Sequence, residues 1–370
     1  LLRETKIPLQ LTLDSDIQFL VRKELLRFNN VFQTKGSAAV LMNIDNGNIL
    51  SLVSLPDFNP NKRENIKDEN YINKITKGVY ELGSVFKTFT LAAALDENLI
   101  EIDTKFVDLE KSINCGKNII SEYDKKIPKD LTAEEILIRS GNIGSVRIGQ
   151  KIGVEKFKQF LTKINLINKI EFDIDEIGIP IPFKWGKCKL ATTSFGHGIT
   201  TTPLQLAKGY AIVTNGGFEV NPTIIRENSE KLIKYKKRII QENVSKKINS
   251  ILRKIVTSKE GTANLADVKG YEIGGKTGTA EKIVSGTYSN QKKINTFASV
   301  FPISNPEFVL VVILDEPKIN SEYIYNYRDG SNFKLKGSPR NTSGWTSVEA
   351  TGHIIEKIGP ILATKYIEIN

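Results

Sequence analysis

The chain of 370 residues is 40% hydrophobic and 25% charged, values that are typical of a globular protein with a substantial core. Its 52 basic and 42 acidic residues are interleaved without a nucleic-acid recognition motif, so the net charge of +10 indicates a solvated surface rather than a nucleic-acid-binding protein. No apolar run of about 18 residues and no signal-peptide pattern occurs, so no segment is predicted to span or target a membrane.

The first part of the chain predicts an extended segment, a helix and a hairpin. Alternating leucines indicate extended chain over residues 1–13, and a helix is expected to be capped near Asp14 and to run to about residue 28. Between residues 38 and 55, two β-type runs flank Asn46-Gly47. Because Asn-Gly between apolar runs is a strong hairpin signal, this region is predicted to be an antiparallel pair of strands.

The chain is organised around residues 80–98, which predict a helix that begins at Gly83 and Ser84. It is apolar on nearly every side, which is typical of a helix in the middle of a domain. Its first turn carries Ser84 and Lys87, three residues apart and therefore on one face. Burial would disfavour the charged form of the lysine and lower its pKa. The pair thus combines a potential nucleophile with a potential base.

The Ser-x-x-Lys pattern alone is weak evidence for catalysis, because short motifs match by accident. It also occurs at Ser289/Lys292 and at Ser331/Lys334. Both of these copies lie in polar stretches that predict solvated loops. Only the copy at Ser84 precedes a buried helix, and that context distinguishes it.

The middle of the chain predicts helices, and its last third predicts strands. Residues 99–190 are mainly helical, and the clearest helix, over residues 131–150, begins with a Thr132/Glu135 capping box. Further helices are predicted over residues 201–213, 245–257 and 345–358. β-type runs are predicted over residues 271–280, 296–301 and 308–314. The polar segment 317–343 is expected to be mobile.

Strands near both ends of the sequence therefore bracket a helical middle. Short links between the late strands imply antiparallel pairing. The simplest architecture is an α+β fold, in which a five-stranded antiparallel sheet is completed by the early hairpin and covered by helices, with a helical subdomain inserted.

Ser140 and Asn142 form a second motif that could serve the chemistry. A serine nucleophile needs a route for its proton to the leaving group, and these side chains could supply it. The Ser-x-Asn pattern also occurs at Ser112, however, so a helix-cap or turn role explains it equally well.

A third motif lies in the glycine-rich run at residues 274–280. Glycine inside a strand marks close approach of a ligand or another backbone, although a β-bulge would also explain it. Lys276 would supply a fixed positive charge, and Thr277 and Thr279 would supply hydroxyl and N–H groups for a substrate carboxylate and carbonyl. Such donors are what an oxyanion hole requires.

The cysteines and histidines give no further site. Cys115 and Cys188 show no metal-ligand spacing, and they can pair only if the fold brings them together, so an isolated structural thiol is expected for each. His197 and His353 are interpreted as structural or surface residues, which argues against a histidine-based hydrolase. The sequence predicts no metal site and no cofactor.

Ser-x-x-Lys, Ser-x-Asn and Lys-Thr-Gly, in this order, are the motif set of penicillin-binding proteins and serine β-lactamases. With these motifs, the sequence resembles the transpeptidase domain of class B penicillin-binding proteins, most of all the division-specific, FtsI-type branch. The likeness runs from about residue 9 to the C-terminus. Flanking segments also carry it, at residues 11–18, 193–217 and 306–317.

The resemblance implies that Ser84 is acylated by the D-Ala-D-Ala end of a peptidoglycan stem peptide, with release of the terminal D-Ala. Lys87 would be the base, Ser140 would relay the proton, and Asn142 would hold the substrate amide. The backbone N–H groups of Ser84 and Thr279 would form the oxyanion hole. A second stem peptide's amine would then complete the crosslink, whereas β-lactams would acylate Ser84 and stall there. The substrate-binding edge strand would contribute Lys276, Thr277, Gly278 and Thr279.

The same resemblance implies a cellular setting. The transpeptidase domain would occupy residues 14–370, including a mainly helical insert at about residues 99–260, and residues 1–13 would be the junction to a pedestal and anchor. An N-terminal helix absent from this chain would hold the domain at the periplasmic, extracytoplasmic face of the bacterial inner membrane. The implied role is septal cell-wall synthesis. The implied partners are a membrane lipid II polymerase and division proteins, through missing N-terminal regions.

The sequence departs from the family pattern at Leu82, where family members often have a proline before the glycine of the active-site turn. This difference alters loop rigidity but removes no catalytic group.

The same three motifs also occur in proteins with other functions. A class A β-lactamase would need a Glu-x-x-Leu-Asn pattern, which the chain lacks, and Asn142 disfavours the class D pattern. A D,D-carboxypeptidase, a β-lactam sensor and a catalytically silent division scaffold remain alternatives.

Overall fold

A five-stranded antiparallel sheet forms the centre of the computed structural model, which describes residues 8–59, 61–62, 72–116, 118–226, 237–284 and 286–367. In chain order, the strands are β1 (Gly36–Asn43), β2 (Ile49–Leu55), β3 (Lys105–Phe106), β4 (Ser112–Cys115), β5 (Asn118–Ser121), β6 (Leu131–Thr132), β7 (Gly274–Val284), β8 (Thr287–Phe301), β9 (Phe308–Asp315), β10 (Ile324–Asn326) and β11 (Lys334–Lys336). The α-helices are α1 (Ser15–Phe32), α2 (Lys87–Asp96), α3 (Ala133–Ile138), α4 (Asn142–Ile152), α5 (Val154–Lys163), α6 (Lys187–Thr193), α7 (Pro203–Thr214), α8 (Glu242–Thr257) and α9 (Ser347–Lys365).

The central sheet has the strand order β2-β1-β9-β8-β7, and all neighbouring strands in it are antiparallel. The hairpin predicted at Asn46-Gly47 joins β1 to β2, and β1 pairs with β9. Strands from the two ends of the sequence therefore share one sheet, which confirms the predicted α+β fold. β8 begins at Thr287, earlier than predicted. On the N-terminal side of Ile294 it pairs with β7 alone, as a two-stranded ribbon, because its pairing with β9 begins only at Ile294.

Helices cover both faces of this sheet. α1 and α9 pack against each other and against the sheet, and α7 and α8 form a second such pair. β9 is buried from Phe308 to Leu314, as expected for a strand that is covered on both faces. Asp14 caps α1 as predicted, since its carboxylate accepts hydrogen bonds from the backbone N–H groups of Asp16 and Ile17. Within the described ranges, no helix combines the length and apolar character needed to cross a membrane.

The helix predicted over residues 131–150 is two helices. The capping box of Thr132 and Glu135 starts α3 as predicted, but α3 ends before Arg139 and α4 begins only at Asn142. Between them, Ser140 has a φ of +59°, in the left-handed region that few residues other than glycine adopt. The helical periodicity continues across the break, so the sequence pattern did not reveal it.

The expectation that both cysteines are isolated thiols was wrong. Cys115 at the end of β4 and Cys188 in α6 form a disulfide, with their Cα atoms 5.4 Å apart. The two residues are 73 positions apart in the sequence. Their proximity depends on how the β4–β5 hairpin folds against α6, which neither residue's neighbours in the sequence indicate.

The polar segment 317–343 contains the short β10–β11 hairpin, and its Arg328 forms a buried ion pair with Glu349 of α9. The Glu349 carboxylate is fully buried and accepts hydrogen bonds from Arg328 Nη2 at 2.7 Å and from the Tyr323 hydroxyl at 2.9 Å. His353 Nε2 lies 3.1 Å from the same carboxylate. These contacts fasten the hairpin to α9 beside the sheet.

Replacing Glu349 by Ala is expected to lower the free energy of unfolding by about 3–5 kcal/mol, because the Arg328 guanidinium would remain buried without its counter-charge. The matched control is Glu322→Ala. Glu322 pairs with Lys336 at 2.7 Å, but both side chains are more than half exposed, so we expect a loss of no more than about 1 kcal/mol. Urea unfolding of both variants measures the difference, and equal losses would contradict the prediction.

Candidate active site

Ser84 lies at the start of the central helix, on a tight turn. Residues Gly83–Phe86 form a 3₁₀ helix that leads directly into α2. In this conformation residues i and i+3 lie one above the other, so Ser84 and Lys87 share one side of the turn. Ser84 is half-buried. Lys87 is only 1% exposed and is the first of a continuous run of buried residues in α2 that ends at Leu95.

Lys87 is held by oxygen atoms that carry no net charge. Its Nζ donates hydrogen bonds to the Ser140 carbonyl oxygen at 2.5 Å and to Asn142 Oδ1 at 2.6 Å, and it lies 3.3 Å from Ser140 Oγ. Burial lowers the pKa of Lys87 to about 7, and the negative charge of Glu122 partly opposes this effect. The amine is therefore neutral in a substantial fraction of molecules near neutral pH, as a general base requires.

Ser140 connects the two lysines of the site. The break between α3 and α4 turns its side chain inward, where Ser140 Oγ accepts a hydrogen bond from Lys276 Nζ at 2.8 Å. Lys276 is fully buried, and its Nζ also donates to the Thr277 carbonyl oxygen at 3.1 Å. Burial and the nearby Lys87 both lower the pKa of Lys276. These surroundings do not favour the fixed positive charge that was expected at this position.

The glycine-rich edge strand β7 touches the turn that carries Ser84. A Cβ atom at Gly278 would lie 2.1 Å from the Leu82 carbonyl oxygen, so only glycine fits here. Gly83 has a φ of +66°, and a Cβ atom there would lie 2.8 Å from the Thr279 carbonyl oxygen. The predicted close approach at the strand glycines is thus a contact between backbones. It brings Thr279 beside Ser84.

A cleft of about 780 Å³ runs between the turn and the edge strand. Predicted residues that line it are Ser84, Ser140, Asn142, Thr277 and Thr279. Lys87 and Lys276 lie behind this lining, in contact with Ser140. The structure therefore brings the three sequence motifs together around one cavity, although they come from distant parts of the chain.

Several residues of the site were not found from the sequence. Thr262 Oγ1 lies 2.7 Å from Thr277 Oγ1, and the backbone N–H of Ser343 donates to Thr279 Oγ1 at 3.0 Å. Glu122 accepts hydrogen bonds from the first backbone N–H groups of α4. None of these residues belongs to a motif, so only their spatial position identifies them.

His197 lies on the cleft wall without contacting the nucleophile. Its ring packs against Phe195 and Tyr288, and its Nδ1 is 3.8 Å from the Glu81 carboxylate. Among the described residues, the side chains of Ser140 and Asn142 form hydrogen bonds with the two lysines and with the Ser121 carbonyl oxygen, and not with this histidine. The arrangement favours a lysine rather than a histidine as the general base.

Residues 37–332 match the family model described as "Penicillin binding protein transpeptidase domain". The chain belongs to this family. Among curated relatives, the chain is 31% identical over 366 residues to the probable peptidoglycan D,D-transpeptidase FtsI of Caulobacter vibrioides, covering 97% of this chain and 59% of that protein. It is 33% identical over 327 residues to the stage V sporulation protein D of Bacillus subtilis, covering 84% of this chain and 50% of that protein.

These relatives confirm the predicted membership in the class B penicillin-binding proteins. This transpeptidase domain spans about half to three-fifths of their length. Its fold is that of the apo transpeptidase domain of Burkholderia pseudomallei penicillin-binding protein 3, with a TM-score of 0.80, 24% identity and coverage of 98% of both chains. The likeness in structure therefore extends over the whole α+β architecture.

Proposed function

We propose that this transpeptidase domain is a peptidoglycan D,D-transpeptidase that works through a Ser84 acyl-enzyme. The observation that carries the proposal is the buried Lys87 amine, which lies on the same side of the turn as Ser84 and is hydrogen-bonded only to uncharged oxygen atoms within the described residues. Such an amine accepts a proton near neutral pH, whereas a lysine paired with a carboxylate remains charged.

Ser84 Oγ attacks the carbonyl carbon between the two D-Ala residues, and its proton passes to Lys87 Nζ. The oxyanion accepts hydrogen bonds from the backbone N–H groups of Ser84 and Thr279. The close approach of Thr279 to Gly83 supports this assignment. The proton then moves through Ser140 Oγ, which lies between the two lysines, to the departing amine. The terminal D-Ala leaves, and Ser84 holds the acyl group as an ester.

The remaining residues hold the substrate in the cleft. Asn142 lines the cleft and its amide group is fixed at both ends, by Lys87 and by the Ser121 carbonyl oxygen, so it presents a rigid polar edge to a substrate amide. The edge strand binds the peptide in an extended conformation. Its contributing residues are Lys276, Thr277, Gly278 and Thr279.

The reaction ends when the amine of a second stem peptide attacks the Ser84 ester, forming the crosslink and freeing the hydroxyl. In the direct test, the protein is incubated with a stem peptide that ends in D-Ala-D-Ala, with and without an amine acceptor. The products are then identified by mass spectrometry. A transpeptidase forms the amide-linked product together with free D-Ala. Release of D-Ala without any linked product would favour a D,D-carboxypeptidase, and no release would leave a sensor or scaffold.

We place this activity in septal cell-wall synthesis at the extracytoplasmic face of the bacterial inner membrane. Support comes from the similarity to proteins whose names include FtsI. The proposed partners are peptidoglycan stem peptides, β-lactams, a lipid II polymerase and division proteins.

We also propose that residues 14–370 form the transpeptidase domain and that residues 1–13 join it to further regions.

The rate of acylation by a penicillin is expected to rise with pH and to be half-maximal near pH 7. Burial lowers the pKa of Lys87 to about 7, so below this pH the amine is an ammonium group and cannot accept the Ser84 proton. We expect the rate to fall about tenfold for each pH unit below the midpoint and to level off above it.

Rapid-mixing measurements with a chromogenic cephalosporin on both sides of pH 7 test this expectation. The control is Lys292→Met, which removes the lysine of a second Ser-x-x-Lys copy on the exposed part of β8. That variant should keep the wild-type profile. If the acylation rate of the wild-type protein did not change with pH, or fell above pH 7, Lys87 would not be the base.

A further inference from the structure

Glu122 lies directly after the β4–β5 hairpin, and two links fix its position. The disulfide between Cys115 and Cys188 ties the hairpin to α6. The backbone N–H of Glu122 also donates to the Lys111 carbonyl oxygen at 2.9 Å. Glu122 is therefore held by structure outside the three sequence motifs.

Both oxygens of the Glu122 carboxylate are used by the start of α4. Oε2 accepts from the backbone N–H of Asn142 at 2.7 Å, and Oε1 accepts from that of Ile143 at 2.9 Å. A carboxylate at the N-terminus of a helix satisfies free N–H groups and interacts favourably with the helix dipole. The adjacent Ser121 carbonyl oxygen accepts from Asn142 Nδ2 at 2.8 Å. These bonds orient Asn142 so that its Oδ1 faces Lys87 Nζ at 2.6 Å.

We infer that Glu122 is a positioning residue of this active site, which orients Asn142 against Lys87 and adjusts, through its charge, the readiness of Lys87 to accept a proton. The inference rests on the proposed function of Ser84 and Lys87. It adds a residue from outside the three motifs.

Lys276 and Glu122 are each linked to Lys87 through one shared hydrogen-bonded residue, Ser140 and Asn142 respectively. Lys276 approaches from β7, and burial together with the nearby Lys87 lowers the pKa of Lys276, so the two buried amines disfavour being charged at the same time. Glu122 approaches from the hairpin and raises the pKa of Lys87 against the effect of burial. Removing the negative charge of Glu122 therefore favours the neutral amine further.

The test is the pH dependence of acylation in Glu122→Gln. The glutamine retains the size of the side chain but has one acceptor oxygen, so one N–H group of α4 loses its partner. We expect the midpoint of the profile to move to lower pH by about half a unit or more. We also expect the plateau rate to fall on the order of tenfold, because Asn142 is less well oriented.

Two further variants separate charge from structure. Glu110→Gln is the matched control. Glu110 also contacts α4, because it pairs with Arg147 Nη2 at 2.8 Å, but its side chain is 53% exposed. The pH midpoint of acylation in this variant should equal that of the wild type. Glu122→Asp retains the charge and is expected to stay near the wild-type midpoint even if the plateau falls. Thermal unfolding tests whether each variant is folded at the assay temperature.

A wild-type midpoint in Glu122→Gln, or an equal shift in Glu122→Asp, would overturn the inference. A Glu122→Gln variant that does not fold would also overturn it, because Glu122 would then have a purely structural role. Failure of the proposed function is a different result: the wild-type protein would form no covalent adduct at any pH.

Discussion

Replacing Ser84 by Ala is expected to abolish the covalent adduct with penicillin while leaving the fold intact. The hydroxyl is the proposed nucleophile, so no other group at the turn can form the ester. Within the described part of the chain, Ser84 Oγ contributes no side-chain hydrogen bond and the residue is half-buried. Its removal should therefore change the free energy of unfolding by less than about 1 kcal/mol.

Intact-protein mass spectrometry after incubation with a penicillin is the measurement. The matched control is Ser289→Ala, which removes the serine of another Ser-x-x-Lys copy and should acylate like the wild type. An adduct that persists in Ser84→Ala would exclude Ser84 as the nucleophile. The lifetime of the wild-type adduct is also informative, because rapid loss with hydrolysed drug would indicate a β-lactamase.

Replacing Gly278 by Ala is expected to reduce the acylation rate by about a hundredfold. The new methyl group would lie 2.1 Å from the Leu82 carbonyl oxygen and 3.1 Å from the Val85 side chain. Because the nearest atom belongs to the backbone, the edge strand must move away from the turn that carries Ser84. The two backbone N–H groups proposed for the oxyanion hole would then separate. We expect an accompanying loss of stability of about 1–3 kcal/mol.

Gly186→Ala is the matched control, since no atom lies within 4 Å of a Cβ at that position and its φ of 175° is accessible to any residue. Acylation kinetics and thermal unfolding of both variants measure the two effects. A Gly278→Ala variant that acylates at the wild-type rate would show that the contact between strand and turn is not needed for catalysis.

The proposed chemistry depends on how two buried lysines share one hydroxyl. Lys87 and Lys276 both contact Ser140 Oγ, at 3.3 and 2.8 Å. Two neighbouring ammonium groups in a buried site repel each other, so a proton gained by one makes the other less ready to hold its own. In the proposed mechanism, Ser140 Oγ, which contacts both lysines, relays the proton from Ser84 to the leaving group.

The local elements and the candidate site residues could be predicted from the sequence. The hairpin at Asn46-Gly47 and the capping box of Thr132 were predicted correctly, because each depends on residues only a few positions apart. The buried helix with Ser84 and Lys87 was recognisable for the same reason. The order of the three motifs then identified the family.

Which distant residues meet, and how burial shifts the pKa of a site residue, depend on the packing of the whole chain. The pairing of Cys115 with Cys188, the break at Ser140, and the bonds from Glu122 to α4 all join parts of the chain with no common local pattern. The lowered pKa of Lys276 likewise depends on its complete burial beside Lys87. Local propensities are set by neighbours in the sequence, whereas proximity and desolvation arise only when the whole chain packs.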